Sequence, residues 1–146
     1  MVQGLSIHPV PTSDLHRWWE DVSKDLDECR VHDKENVWLE DIYHTLKSGA
    51  ATLYIALDGD KYEGMFVATQ QVDRWDPENR WIHVWYCHGR HLGTDVFKYG
   101  VDYLDRLARS IGAKMVTFQA DRPAFERWGR PLGFEVSGIE LCRRVD

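Results

Sequence analysis

The sequence predicts an α/β protein built on a mixed sheet with helices on both faces. Two amphipathic helical stretches follow a short N-terminal strand. Three strand-like runs then come in succession, and the third leads through a helix to a further strand over residues 80–119. Strands in succession form an antiparallel meander, whereas strands joined through a helix pair in parallel by a right-handed crossover. The predicted order is β-α-α-β-β-β-α-β-α-β(β), with the helices shared between the two faces of the sheet.

Residues 4–10 alternate in polarity and end among Pro9 and Pro11, as an edge strand would. Thr12 and Ser13 are N-cap residue types for the first helix. Leu15, Trp18, Trp19, Val22, Leu26 and Cys29 recur at helical spacing and give it one apolar stripe. Trp38, Leu39, Ile42, Tyr43 and Leu46 do the same for a second helix, which Gly49 is suited to stop. Residues 51–57 and 62–71 read as hairpin strands around Asp58-Gly59. A polar loop at 73–79 precedes the third strand of the meander, 80–88, which is rich in aromatics. Residues 89–93 form a glycine-containing loop before a helix from about 94 to 111. Val96, Phe97, Gly100, Tyr103, Leu104, Leu107 and Ile111 make its inner stripe, and Gly112 closes it. Residues 114–119 are a strand, 122–130 a short helix around Phe125 and Trp128, and 133–145 a last strand or hairpin turning at Ser137-Gly138. No repeat or linker interrupts the 146 residues, a length that fits one domain.

Composition narrows the function classes. Hydrophobic residues at 43% and charged residues at 29% are a globular balance. The net charge of −6 and the lack of a Lys/Arg run argue against nucleic acid as a partner. No apolar run approaches the ~18 residues of a membrane span, so no membrane partner is expected. Cys29, Cys87 and Cys142 are odd in number and widely spaced, and the first residues lack a secretory pattern. A reducing, cytoplasmic setting is the simplest expectation. Seven Trp is a surplus for this length, so either the core is aromatic or some rings serve a contact surface.

Two segments carry a family resemblance. Arg90-His-Leu-Gly93-Thr-Asp95, before the long helix, resembles the Arg/Gln-x-x-Gly-x-Gly/Ala pyrophosphate loop of the GNAT N-acetyltransferase superfamily. Ala124-Phe-Glu-Arg-Trp-Gly-Arg-Pro-Leu-Gly-Phe134 is similar to its short helix and Leu-Gly-Phe turn. Asp121-Arg-Pro leading into Phe125-Glu-Arg-Trp128 also looks like small GNAT-like proteins of tailed phages. The resemblance spans the chain. It implies a GNAT-like mixed sheet, acetyl-CoA as the acyl donor and an amine as acceptor. In the phage-type case it implies a virion component or host-directed binder instead.

The loop has a physical reason to bind phosphate. Backbone N–H groups at a helix start are unpaired and lie at the positive end of its dipole. Gly93 allows close approach, Thr94 and Asp95 occupy the first turn, and Arg90 offers a guanidinium for phosphate oxygens. The alternative is an ordinary strand-to-helix loop capped by Thr94 or Asp95. Asp95 departs from the family's Gly or Ala. Like charges ~4 Å apart cost about 4 kcal/mol at an effective dielectric near 20, so Asp95 is expected to weaken CoA binding.

The family often uses a Glu or bound water on the central strands as base, and a Tyr in the short C-terminal helix as acid. The segment from Phe125 to Phe134 holds no Tyr. His83 is the candidate base, since its ordinary pKa lies near neutrality. The alternative is a histidine packed between Trp81 and Trp85. His83 and Cys87 are expected to share a strand face with His88 on the other, and His91 in the loop completes a set that lacks metal-binding spacing. A second function class remains beside the enzyme: a non-catalytic protein acting by contact with another protein or a second copy of itself. Trp75, in the polar loop, and one of the adjacent Trp18 and Trp19 are its expected exposed rings.

Overall fold

The computed structural model describes residues 4–30, 38–90, 93–119, 127–138, 141, 143 and 145. The chain begins with strand β1 (Leu5–Pro9), followed by a 3-10 turn at Thr12–Asp14 and helix α1 (Leu15–Arg30). Thr12 and Ser13 therefore lie inside a tight turn that leads into the helix, and neither caps it. Helix α2 (Leu39–Ser48) ends at Gly49, whose φ of 82° lets the Gly49 N–H reach back to the Leu46 carbonyl. Strands β2 (Thr52–Asp58), β3 (Lys61–Val72) and β4 (Arg80–Gly89) form the expected meander, with Gly59 at φ 61° in the first turn. Helix α3 (Gly93–Ile111) then crosses to β5 (Met115–Phe118).

The five strands lie in the order β1-β2-β3-β4-β5. The first three pairings are antiparallel and β4–β5 is parallel, as the crossover requires. Two apolar layers sandwich this sheet. Val22 and Leu26 of α1 and Ile42 and Leu46 of α2 pack on Leu53, Ile55, Met65 and Val67. Leu104 and Ala108 of α3 pack on Ile7, Tyr54, Phe66, Ile82 and Val84 on the opposite face. Consecutive strand residues point to opposite faces, so one meander supplies both layers.

Several expectations need correction. Trp38 stands just before α2 and is 62% exposed, because the helix starts one residue too late to bring it onto the apolar face. Trp18 and Trp19 are both half-buried against the α1–α2 core, and Trp19 meets the Tyr43 ring edge-on at 4.9 Å. Neither is the exposed ring that an adjacent pair suggested. Trp75 is, at 86% exposure. The final strand or hairpin is not found among the described residues, since 134–138 carry no strand pairing. What does form is a helical turn at 127–129 and a 3-10 turn at Arg130–Leu132 closed by Gly133 at φ 90°. The start of the expected short helix, including Phe125, lies outside the described residues.

Candidate active site

β4 is the strand on which the site is built. It pairs with β5 only from Trp81↔Met115 to Val84↔Phe118, then continues to Gly89 beside β3 alone. The parallel pair therefore parts after Val84, the kind of strand-end crevice where α/β sheets bind ligands. At the same point β4 carries a bulge. Val67 faces Tyr86 and Ala68 faces Val84, so Trp85 is the extra residue. Ile82 and Val84 face α3 before the bulge, and Cys87 does so after it. His83 and His88 thus share the α1 side and Cys87 is opposite them. This reverses the expected pairing of His83 with Cys87, because uninterrupted alternation does not survive an extra residue.

On the α3 side the parting strands border a cavity of about 110 Å³. Val84, Cys87, Val116 and Phe118 line it from the sheet, and Val96, Phe97, Gly100 and Leu104 from α3. Trp128 and Phe134 close one side, with Phe134 edge-on to Phe118 at 4.9 Å and Trp128 5.9 Å from Phe97. His88 is the one lining residue, among those described, with an ionisable imidazole or charged side chain. Gly93 and Thr94 open α3 just after β4 ends, and Asp95 is exposed in its first turn. The rim therefore offers a helix N-terminus of 19 residues, with one carboxylate already beside it.

On the α1 side, the end of β4 is tied by charge. Asp25 of α1 is only 3% exposed. It accepts hydrogen bonds from the Tyr62 hydroxyl at 2.8 Å and from Arg90 Nε at 3.2 Å. Arg90 also donates to Asp21 Oδ1 at 3.4 Å and to the Asp21 carbonyl at 3.3 Å, and lies 4.6 Å above the Tyr62 ring. Its own backbone N–H bonds the Glu63 carbonyl. The guanidinium expected on phosphate is thus turned to two carboxylates one helical turn apart. His88 Nε2 meets Glu28 at 2.7 Å, and its Nδ1 sits 3.6 Å from Asp25, an ion-pair distance too long for a hydrogen bond. Burial works to raise the Asp25 pKa, but His88, Tyr62 and Arg90 outweigh it and hold the carboxyl below its usual range. Asp25, against burial, and then Glu28 hold His88 above its ordinary value. Burial and the Asp25 charge push the Tyr62 phenol well up, so it stays a donor.

His83 lies one residue before the parting of the strands. Its Nδ1 is 2.7 Å from Thr117 Oγ1, across the β4–β5 pair. Burial lowers its pKa, so the ring is neutral at pH 7. The Thr117 hydroxyl can accept from or donate to Nδ1, and the tautomer that donates Nδ1–H to it leaves the Nε2 lone pair a base needs. His91 and the start of the Ala124–Phe134 motif lie outside the described residues.

No family model matches the sequence, and no curated protein aligns with it. Solved structures do match. A ribosomal-protein-alanine N-acetyltransferase from Brucella melitensis superposes with a TM-score of 0.76 at 14% identity, covering 98% of this chain and 100% of that one. An aminoglycoside acetyltransferase from a soil metagenomic sample, in complex with sisomicin, gives 0.69 at 12%, with 98% and 97% covered. A predicted acetyltransferase with acetyl-CoA from Clostridium acetobutylicum gives 0.69 at 12%, with 94% and 96% covered. At these identities the likeness establishes the fold: the chain has the GNAT acetyltransferase fold.

Within that fold, this chain keeps an apolar cavity at the parting of β4 and β5. A helix N-terminus, that of α3, stands at its rim. Two features of the site go beyond what was read from the sequence. The bulge at Trp85 has no composition signal. The Asp25 network had one: Asp21, Asp25 and Glu28 flank the apolar stripe of Val22, Leu26 and Cys29, which sets carboxylates at the edge of a buried face.

Proposed function

We propose that the protein is an acyl-CoA-dependent N-acyltransferase. The observation that carries the reading is the parting of β4 from β5 after Val84, with an apolar cavity on one side and the start of α3 at the rim. Backbone N–H groups in the first turn of α3 would hold the diphosphate. The donor supplies an acyl group activated as a thioester. His83, on the α1 side of the same gap, takes the proton from the acceptor amine through Nε2 while Thr117 orients the ring. The amine nitrogen bonds to the acyl carbon, the C–S bond breaks, and CoA leaves as a thiolate that takes a proton from solvent. Arg90 serves as a strut that fixes the end of β4 to α1, and leaves phosphate recognition to the backbone. Asp95 opposes the diphosphate and sets a modest affinity. The acetyltransferase neighbours and the one with acetyl-CoA support the donor class.

Calorimetry with acetyl-CoA tests binding, and release of free CoA in the presence of a primary amine tests transfer. Saturable binding together with amine-dependent release is the expected result. Absence of both would remove the reading. One observation favours a second function class: Trp75 and Trp38 are exposed to 86% and 62%. Large exposed aromatics are enriched at interface centres, so this alternative has the protein acting by contact with another protein or a second copy. Sedimentation of the purified chain, with and without Trp75→Ser, separates it from the first. A partner-free monomer unaffected by the substitution leaves the enzyme reading alone.

A further inference from the structure

On the face of β4 away from α3, a row of rings surrounds His83. Ile82 and Val84 face α3, so Trp81 and His83 face the other way. At the bulge Trp85 and Tyr86 together stand opposite Val67, and both Val67 and Tyr86 belong to the α1–α2 layer. The Trp85 indole follows them to that side, and it does not line the cavity under α3. The result is indole, imidazole, indole along one face of β4, with backbone positions about 7 Å apart.

This row is open. Among the described residues the α1–α2 layer takes in Tyr86 of β4 but not Trp81, Trp85 or Met115. Trp85 is exposed, and so is Met115, which pairs with Trp81. His83 stands between the indoles with Nδ1 on Thr117, while its Nε2 has no partner among the described residues.

The chemistry around His83 narrows the acceptor. Gln71 pairs with Trp81 and Thr117 with His83, so the neighbours on this face carry no formal charge. Asp21 and Asp25 of α1 are engaged with Arg90 and Tyr62. One ammonium can rest over an indole until His83 takes its proton. Further ammonium groups would be desolvated with no opposite charge to meet. An aromatic ring, by contrast, gains from stacking on the open indoles.

We propose that Trp81 and Trp85 form an acceptor subsite, and that the acceptor is a monoamine bearing an aromatic ring rather than a polyamine or a simple alkylamine. The inference rests on the acyltransferase reading and deepens it. The spacing of about 7 Å along β4 lets an amine at Nε2 carry its ring over either indole through a linker of about two carbons. The two tryptophans set specificity, and His83 between them is the base.

Steady-state release of CoA from acetyl-CoA by the whole chain, with phenethylamine, ethylamine and spermidine as acceptors, is the test. Phenethylamine should exceed the other two in kcat/KM on the order of tenfold, through apolar burial on the indoles. Trp85→Ala should raise its KM about fivefold with little change in kcat, and Trp85→Phe, which keeps a ring, should restore most of the difference. Trp81→Ala should act in the same direction as Trp85→Ala. Ethylamine or spermidine turning over as efficiently as phenethylamine in the unaltered chain would overturn the subsite and leave the acyltransferase reading standing. An undiminished phenethylamine preference in folded Trp81→Ala and Trp85→Ala would also overturn it, by showing that the ring lies elsewhere. No release of CoA with any of the three amines would overturn it as well, and a lack of acetyl-CoA binding by calorimetry would then remove both readings.

Discussion

On the α1 side of β4, His88 and Arg90 meet Asp21, Asp25, Glu28 and the Tyr62 hydroxyl within a few ångströms. On the α3 side, Val84, Cys87 and Gly89 of the same strand border an apolar cavity with Val96, Phe97 and Leu104. The two sides handle free energy differently. Charges on the first are paired within the fold, so they hold the strand end and have little left for a ligand. The second keeps volume unfilled beside a helix start, so binding there gains both apolar burial and dipole stabilisation. The strand is thus anchored by one face and made available by the other.

The largest break in this comparison should come from Asp25→Ala. It strands the Arg90 guanidinium and the Tyr62 hydroxyl and leaves His88 with Glu28 alone, so the expected loss is about 3–5 kcal/mol of unfolding free energy, read by urea titration. A pH series sharpens the same side. His88 is held above its ordinary pKa. Its contribution is complete below about pH 6.5 and is lost as the pH rises through the higher folded value. Asp25 behaves oppositely: its contribution is present above the usual Asp range and is lost as the pH falls through the lowered folded value. Unfolding free energy should therefore decline above neutrality in the wild type, and His88→Gln should flatten that decline. A parallel decline in the variant would show that His88 is not the group responsible.

The α3 side is probed by filling. Gly100→Ala should stabilise the chain by about 1 kcal/mol, since the helix gains a better residue and the Cβ enters open space. The corresponding rise in Tm is about 3 °C for a chain of this size. A loss of stability would mean that the volume is already taken. The smallest effect is expected at the rim. Asp95→Asn should cost about 0.5 kcal/mol of helix-dipole stabilisation and at the same time tighten acetyl-CoA binding, as calorimetry would show. Opposite signs for stability and affinity in one substitution are the signature of a carboxylate standing where a diphosphate belongs.

Much of the frame was legible in the residues because it rests on periodicity. Leu15 to Cys29 announced α1, Val96 to Ile111 announced α3, and the run 80–119 implied the parallel β4–β5 pair that opens the cleft. The site was legible only by position. Gly93, Thr94 and Asp95 do open α3, and His83 does stand at the parting of the strands. The Arg90 guanidinium went elsewhere because its partners, Asp21 and Asp25, are some seventy residues away in sequence. No local pattern links them. The helical spacing that signals a buried stripe also conceals which charged residue beside it will be buried. Trp38 and the strand expected at 133–145 diverge for a related reason: apolar residue types are present, but α2 begins only at Leu39, and the described residues 134–138 find no strand to pair with.

The extra residue at Trp85 sets a parity along the chain. Val84 faces α3 and Tyr86 faces α1, so the residues on either side of Trp85 alternate as though it were absent. Deleting Trp85 would close the ladder and leave Tyr86, Cys87 and His88 on their present sides. Pressing the bulge flat with Trp85 retained would do the reverse: Trp85 would take the place of Tyr86 opposite Val67, Cys87 would turn toward the carboxylates of α1, and His88 and Arg90 would swing toward the hydrocarbon under α3. At this position the chain is therefore more tolerant of losing a residue than of losing the irregularity that accommodates it.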